Sequence, residues 1–175
     1  AHREAAMTVR LLREFLEAGI EPVSALRTLN AALMLRGAAG GGFTTIDLLA
    51  LQRPTGAGTL YQYGAAPSYL KRGGCVTRVT GQSLPAGLQQ GADGPESTRL
   101  SLQAGSFFVM VSDGVADETD DEWLQNLMAG WSGQSAEALA SLILSESRTR
   151  RGLRDDCAVL VLHLPKMEDS PPRQV

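Results

Sequence analysis

Cysteine and histidine are scarce in this sequence. There are two cysteines, Cys75 and Cys157, and two histidines, His2 and His163, and none of them stands in a CxxC or paired-histidine spacing. A zinc site built from such ligands is therefore disfavoured. The same scarcity excludes a disulfide framework, so we predict two reduced thiols in or near the core of a cytoplasmic protein.

A long apolar run and an excess of basic residues are also absent. No stretch approaches the length of a membrane span, and no signal peptide is present. The formal net charge of -3 and the sequence pI of about 5.4 disfavour nucleic-acid binding. We therefore expect no nucleic-acid partner and no membrane contact by this chain. Because the chain starts without Met, inside a helical pattern, we expect a fragment with room upstream for sensor or membrane segments.

What the sequence does contain is typical of one globular domain. It has 175 residues, of which 43% are hydrophobic and 20% are charged. Amphipathic spacing predicts a helix over residues 4–18 that ends at Gly19, and a second helix that starts at Pro22 and ends near Gly37. Asn30 lies on the apolar face of the second helix, where we expect a hydrogen-bonded core amide.

The middle of the chain is rich in strand formers. We predict strands over 43–51, 59–63 and 98–102, and a hairpin in which Gly73-Gly74 joins two short strands. Asp47 stands inside the first strand, and we expect it to face solvent or to contact a neighbouring strand rather than to belong to a site.

The most informative stretch runs from Phe107 to Gly114. Five apolar residues, typical of a buried strand, lead directly into Ser112, Asp113 and Gly114. A carboxylate where a rigid strand leaves the core is well placed to hold a metal ion, and glycine lets other groups approach closely. The alternative is a Ser-Asp-Gly turn that closes a hairpin, and the dipeptide alone favours that alternative.

A second carboxylate unit shifts the balance toward a metal site. Asp155 and Asp156 lead directly into the apolar run 157–162. If this strand is the antiparallel neighbour of the one before Asp113, the carboxylates lie at the same edge of a sheet. Carboxylate oxygens are hard ligands that suit Mg²⁺ or Mn²⁺.

The acidic segment 117–122 has an explanation that needs no metal. Thr119 and Glu122 have the spacing of a capping box, and Asp120 and Asp121 would lie in the first helical turn, where acids are favoured. A further helix is expected from Ser135 to the basic residues before Gly152.

Taken together, these segments resemble the phosphatase domains of the stage II sporulation protein E type, within the metal-dependent protein phosphatases (PPM, type 2C). The resemblance is carried by stretches that span nearly the whole chain: residues 4–35, 44–48, 64–68, 69–72, 83–88, 109–114 and 155–156. It implies an α+β fold, namely an α-β-β-α sandwich of two antiparallel sheets flanked by helices. It also implies that residues 1–164 are a domain without its N-terminal strands and that 1–37 are a switch helix hairpin. The Pro-rich, charged composition of residues 165–175 separately predicts a disordered tail.

The same resemblance implies a function and a set of site residues. The expected activity is hydrolysis of phosphoserine or phosphothreonine on a protein such as an anti-sigma factor antagonist, with two Mn²⁺ or Mg²⁺ ions in the complete domain. The metal-binding aspartates of the family fall on Asp113 and Asp155, which are the expected catalytic residues, and Asp156 is a further expected metal ligand.

Two departures from the family pattern weaken the expected activity. The family's early Asp-Gly metal motif would precede the first helix, and the usual Asp-Asp-Met-Thr reads Asp-Asp-Cys-Ala here, ending at Ala158. We therefore expect this chain to be weakly active or inactive alone. A catalytically inactive module that binds a phosphoprotein or partner is the alternative, and dimerisation through the two leading helices is a further one. A haloacid-dehalogenase-type phosphatase is disfavoured because its second acid would stand at Val115.

Overall fold

The computed structural model describes residues 2–37, 42–53, 55–88, 94–117, 119–151 and 155–165. These residues form four helices and seven strands: α1 (His2–Glu17), α2 (Pro22–Gly37), β1 (Ile46–Leu51), β2 (Ala57–Tyr63), β3 (Ser68–Arg72), β4 (Cys75–Val79), β5 (Glu96–Ser101), β6 (Phe107–Val111), α3 (Glu122–Gly130), α4 (Ala136–Arg151) and β7 (Val159–His163). One sheet has the strand order β1-β2-β5, and the other has the order β4-β3-β6-β7.

The chain divides into two compact units. The first unit comprises residues 1–65 and 81–100, and the second comprises residues 66–80 and 101–175. The first therefore contains the leading helices and β1-β2, and the second contains the four-stranded sheet with α3 and α4.

The helix hairpin of the first unit lies close to its prediction: α1 covers His2–Glu17 where 4–18 was predicted, and α2 covers the predicted Pro22–Gly37. Gly19 takes a positive φ of 78°, and its N–H donates to the Leu16 carbonyl, as at a glycine that ends a helix. Pro22 is the first residue of α2. Asn30 is 4% exposed, and its Oδ1 accepts a hydrogen bond of 2.8 Å from the Gly87 N–H, so the predicted core amide is confirmed.

The sheet of the first unit accounts for Asp47. Strands β1 and β2 are antiparallel, and Asp47 stands opposite Gln62. Gln62 Nε2 donates to Asp47 Oδ1 over 3.0 Å, so this carboxylate contacts the neighbouring strand, as expected. The strand begins at Ile46 rather than Phe43, and Thr44 instead forms an isolated bridge with Ala86. The core below the sheet contains Leu26, Leu33, Ile46, Tyr63 and Ala86.

The second unit is built around β6. Strands β3 and β4 form the predicted hairpin, and β6 pairs antiparallel with both β3 and β7. One face of this sheet packs against α3 and α4 in a core that includes Tyr69, Phe107, Val109, Val111, Trp123, Leu124, Met128, Leu139 and Ile143. The apolar run 107–111 is therefore a central buried strand, as its composition predicts.

Some sequence-based expectations need correction or lie outside the described residues. Cys75 is exposed, because it starts β4 at the edge of the sheet, so the predicted core position is wrong for this thiol. Cys157 is partly buried. The predicted tail beyond residue 165 lies outside the described residues. Among the helices that the structure describes, none is long and apolar enough to cross a membrane.

Candidate metal centre

The candidate site lies where β6 ends and β7 begins. These strands are antiparallel neighbours, with Val111 opposite Val159. The segment after β6, which carries Asp113, therefore runs beside the segment before β7, which carries Asp155 and Asp156. The geometric condition set out from the sequence is met, since the two acidic segments share one edge of the sheet.

Ser112 fastens these two segments to each other. Its main-chain N–H donates to the Ala158 carbonyl over 3.0 Å. Its side-chain Oγ accepts a hydrogen bond of 2.9 Å from the Ala158 N–H and donates one of 3.1 Å to the Asp156 carbonyl. One serine thus extends the β6-β7 pairing beyond the last paired residues of the strands, and it does so on both sides of Cys157.

Gly114 permits the close approach of the second segment. A Cβ atom at this position would lie 2.5 Å from the carbonyl oxygen of Asp156 and 3.4 Å from Cβ of Asp155. The first distance is shorter than any ordinary van der Waals contact, so only glycine fits without movement of the backbone. The Gly114 carbonyl also accepts a contact of 3.3 Å from Cys157 Sγ.

The three carboxylates are exposed, so a solvated ion can reach them. Two of them are held in the same way: the Gly114 N–H donates to Asp113 Oδ1 over 3.0 Å, and the Asp156 N–H donates to Asp155 Oδ1 over 2.7 Å. Each of these aspartates is oriented by the next residue's main chain. Within the described ranges, no group of three or more His, Cys, Asp or Glu side chains is arranged to hold a metal ion.

The donor set nevertheless suits a hard divalent cation. The exposed carboxylates at this edge offer oxygen ligands, and Mg²⁺ or Mn²⁺ prefers oxygen and retains several waters, so it needs few protein ligands. Asp113, Asp155 and Asp156 are the residues that would hold such an ion. Their role as ligands stays a prediction.

The acidic segment 117–122 is explained locally, but not by the predicted capping box. Helix α3 starts at Glu122 with Asp121 at the N-cap position, and no side chain caps it. Thr119 Oγ1 instead donates to Asp117 Oδ1 over 2.6 Å, and that oxygen also accepts the N–H groups of Thr119 and Asp120. The capping prediction is wrong because Asp117 bonds the turn before the helix begins.

Asp121 is a buried acid whose partners sequence reasoning missed. It is 8% exposed, accepts a hydrogen bond of 2.9 Å from the Tyr69 hydroxyl, and forms an ion pair of 2.7 Å with Arg78 Nε. Burial, supplemented by the hydrogen bond to Asp121, raises the pKa of Tyr69. Tyr69 and Arg78 stand opposite each other on β3 and β4, so the network fastens the start of α3 to the sheet.

Ser112 was also missed as a structural residue, although it stands inside the recognised motif. The sequence did offer a signal for it, because a serine hydroxyl at the end of a strand can form hydrogen bonds with the main chain of the neighbouring segment. No spacing rule identifies which carbonyl it will meet.

The chain is similar in sequence and in structure to known proteins. The family model described as "Stage II sporulation protein E (SpoIIE)" matches residues 1–165 of the chain. The chain belongs to the SpoIIE family. The resemblance found from the motifs is therefore confirmed.

Two curated relatives give the extent of the match. The chain is 32% identical over 171 residues to stage II sporulation protein E of Bacillus subtilis (strain 168), covering 94% of the chain and 20% of that protein. It is 29% identical over 182 residues to the protein of the same name from Priestia megaterium, covering 98% of the chain and 31% of that protein. The chain thus spans less than a third of the length of either relative.

A solved structure confirms the fold class. The structure of the PP2C phosphatase domain and a fragment of the regulatory domain of SpoIIE from Bacillus subtilis matches with a TM-score of 0.79 and 29% identity. The match covers 91% of this chain and 50% of that chain. The predicted α+β class, with antiparallel sheets and flanking helices, is that of a PP2C phosphatase domain.

Proposed function

We propose that this SpoIIE-family chain is part of a metal-dependent protein phosphatase that hydrolyses phosphoserine or phosphothreonine. The observation that carries the proposal is the Ser112 clamp, which fastens the Asp155-Asp156 segment beside Asp113 at one sheet edge. Family membership and the shared edge of the two acidic segments support the proposal.

The chain's own residues have distinct parts in this proposal. Asp113 and Asp155 present exposed carboxylates from two adjacent segments, and each is oriented by the next main-chain N–H. Asp156 offers a third carboxylate. A bound Mn²⁺ or Mg²⁺ would lower the pKa of a water so that hydroxide forms near neutral pH as the nucleophile, and would offer positive charge to the phosphoryl oxygens. Asp113 and Asp155 would hold the ion at this edge, where its charge can meet a phosphorylated side chain of the substrate.

The substrate we propose is a phosphorylated regulatory protein, such as an anti-sigma factor antagonist. An exposed edge accommodates a phosphorylated loop or strand of another protein, whereas an enclosed pocket would exclude it. The switch role of the helix pair 1–37 and the cytoplasmic location stay predictions.

We further propose that the chain by itself binds metal weakly and turns over little substrate. Among the described residues, no three His, Cys, Asp or Glu side chains are arranged so that they could hold a metal ion together. Because affinity for a hard cation grows with the number of anionic ligands, two or three exposed carboxylates give a weak site. The same observation favours a second candidate function, a module that binds a phosphoprotein without hydrolysing it.

The test compares the Asp113→Asn variant with wild type, with Mn²⁺ binding followed in this chain and hydrolysis measured in the complete protein that contains it. We expect near-total loss of Mn²⁺ binding and of Mn²⁺-dependent phosphopeptide hydrolysis, because an amide does not replace an anionic ligand to a hard cation. Mn²⁺ binding is followed by paramagnetic broadening of the Asp113 and Asp155 amide signals, and phosphate release is measured separately. Glu137→Gln, the same chemical change at an exposed residue in the first turn of α4, is the matched control and should change neither.

Two outcomes would decide against the proposal. Unchanged broadening in Asp113→Asn would show that the ion does not bind at this edge. If the complete wild-type protein binds Mn²⁺ and the phosphopeptide but releases no phosphate at any metal concentration, the binding module is favoured.

A further inference from the structure

The second unit contains a cavity of about 410 Å³ at the opposite end of β6 from the aspartates. Phe107, at one end of β6, lines the cavity, and Val111, at the other end, leads to Ser112 and Asp113. Four residue steps of about 3.3 Å place these two ends of β6 about 13 Å apart. The cavity is lined by Lys71, Arg72 and Gly73, by residues 103–107, and by residues 131–134. Among the described residues that line it, none is acidic, although the whole chain carries a net charge of -3.

Lys71 is the unusual residue of this cavity. It stands on β3, a central strand of its sheet, and is 5% exposed. Its Nζ donates to the Ala129 carbonyl over 3.3 Å and to the Gly73 carbonyl. Among the residues described, no carboxylate lies within ion-pair distance of it. Burial lowers its pKa, as expected for an ammonium group without an acidic partner.

Capping of α3 explains only part of this arrangement. Ala129 is the penultimate residue of α3, so the helix dipole partly offsets the positive charge. An ammonium group has three donors, however, and two carbonyls occupy two of them. Burial of a cation is costly, and a neutral donor would satisfy the same carbonyls. The spare donor and the charge beside an acid-free cavity are what an anionic ligand would use.

Other groups around the cavity are also donors. Arg72 is exposed at the rim, and its guanidinium donates to the Ser101 carbonyl. The ring of Trp131 lines the cavity, and its Nε1–H is buried without an acceptor in the described chain. The remaining wall is preformed, because Gln103 and Ser106 bond each other twice, over 2.9 Å and 3.0 Å. A preformed cavity lowers the ordering cost of binding.

We propose that this cavity binds an oxyanion group, a phosphate or a carboxylate, through Lys71 Nζ with the Arg72 guanidinium at its rim. The site is separate from the aspartate edge and does not depend on phosphatase activity. The group can belong to a small molecule or to a phosphorylated peptide, and the two sources are distinguished below.

The test is an NMR titration of the 175-residue chain with inorganic phosphate, against sodium chloride at equal ionic strength. We expect saturable shifts of the Lys71 and Gly73 amides and of the Trp131 indole N–H. Lys71→Met keeps the apolar stem and should weaken binding about tenfold or more, the loss expected for one charge-assisted hydrogen bond. Arg72→Gln, at an exposed position, should weaken it several-fold. Arg53→Gln removes an exposed cation from the first unit and should leave it unchanged.

Parallel titrations identify the source of the group. Sodium acetate tests a carboxylate, and a phosphoserine peptide is compared with its unphosphorylated form. Saturable, Arg72-dependent shifts with any of these oxyanions support the site, and a response to the phosphopeptide alone assigns the group to a partner protein. The proposal is wrong if no probe gives saturable shifts up to about 50 mM, a concentration well above the dissociation constant of even a weak site. It is also wrong if Arg72→Gln and Arg53→Gln bind phosphate equally, a comparison that stands even if Lys71→Met fails to fold.

Discussion

Replacement of Ser112 by alanine removes two hydrogen bonds at one point. The hydroxyl accepts from the Ala158 N–H over 2.9 Å and donates to the Asp156 carbonyl over 3.1 Å. A neutral hydrogen bond contributes about 1 kcal/mol net, and Ala158 and Asp156 are exposed enough for water to replace the lost partner. We therefore expect the free energy of unfolding to fall by about 1–2 kcal/mol. The main-chain bond from Ser112 to Ala158 remains in the variant.

The same substitution should have a larger effect on metal binding than on folding. The hydroxyl bond to the Asp156 carbonyl restrains the segment that carries Asp155 and Asp156. Loss of a group that orients a metal ligand lowers affinity by about 10- to 100-fold. We expect Ser112→Ala to need a correspondingly higher Mn²⁺ concentration for half-maximal broadening of the Asp113 and Asp155 amides.

Two variants make the measurement specific. Ser112→Thr retains the hydroxyl and should restore most of the Mn²⁺ affinity, whereas Ser101→Ala removes an exposed hydroxyl at the end of β5 and should have no effect. Stability is measured by urea unfolding at constant pH, and Mn²⁺ binding by NMR line broadening. If Ser112→Ala has the wild-type midpoint and slope in urea and the wild-type Mn²⁺ titration, the Ser112 hydroxyl does not position the Asp155-Asp156 segment and the prediction is wrong.

Two further predictions follow from neighbouring contacts. Gly114→Ala places a Cβ 2.5 Å from the Asp156 carbonyl oxygen, so the backbone must shift. We expect the free energy of unfolding to fall by about 1–3 kcal/mol and Mn²⁺ binding to weaken. Gly130→Ala is the control, because a Cβ there meets nothing within 4 Å. Burial and the hydrogen bond to Asp121 raise the pKa of Tyr69 in the folded protein. As the pH rises, the unfolded state therefore loses the phenolic proton before the folded state does. The free energy of unfolding then falls above about pH 10, by up to about 1.4 kcal/mol per pH unit. Tyr69→Phe should flatten that fall in urea unfolding at pH 10–11; an unchanged slope would contradict it.

Features encoded by local spacing were predictable from the sequence. The ends of the helix hairpin followed from Gly19 and Pro22, whose conformational preferences act within one turn of the helix. The strand Phe107–Val111 followed from its unbroken apolar run, and the shared edge of Asp113 and Asp155 followed once the two strands were taken as neighbours. Each inference needed only the period of a helix or strand and one assumption about pairing.

Features that depend on contacts between distant segments were not predictable. Thr119 and Glu122 fit a capping box, yet the Thr119 hydroxyl donates to Asp117 Oδ1 two residues earlier instead. Asp121 resembled an ordinary first-turn acid until Tyr69 and Arg78 were brought to it by the sheet. Lys71 gave no signal, because alternation on a strand cannot show that a helix terminus covers the position.

The Ser-Asp-Gly motif also bears on the departure from the family pattern at Ala158, in the Asp155-Asp156 motif. Ala158 stands where the family has threonine, and the missing hydroxyl suggested a lost hydrogen bond near the site. In the structure, Ala158 is bound through its main-chain N–H and carbonyl, both to Ser112. Main-chain groups are the same for alanine and threonine, so the position of the Asp155-Asp156 segment depends on Ser112 and on the space beside Gly114. Alanine at position 158 therefore keeps both main-chain bonds to Ser112 that hold this segment beside Asp113.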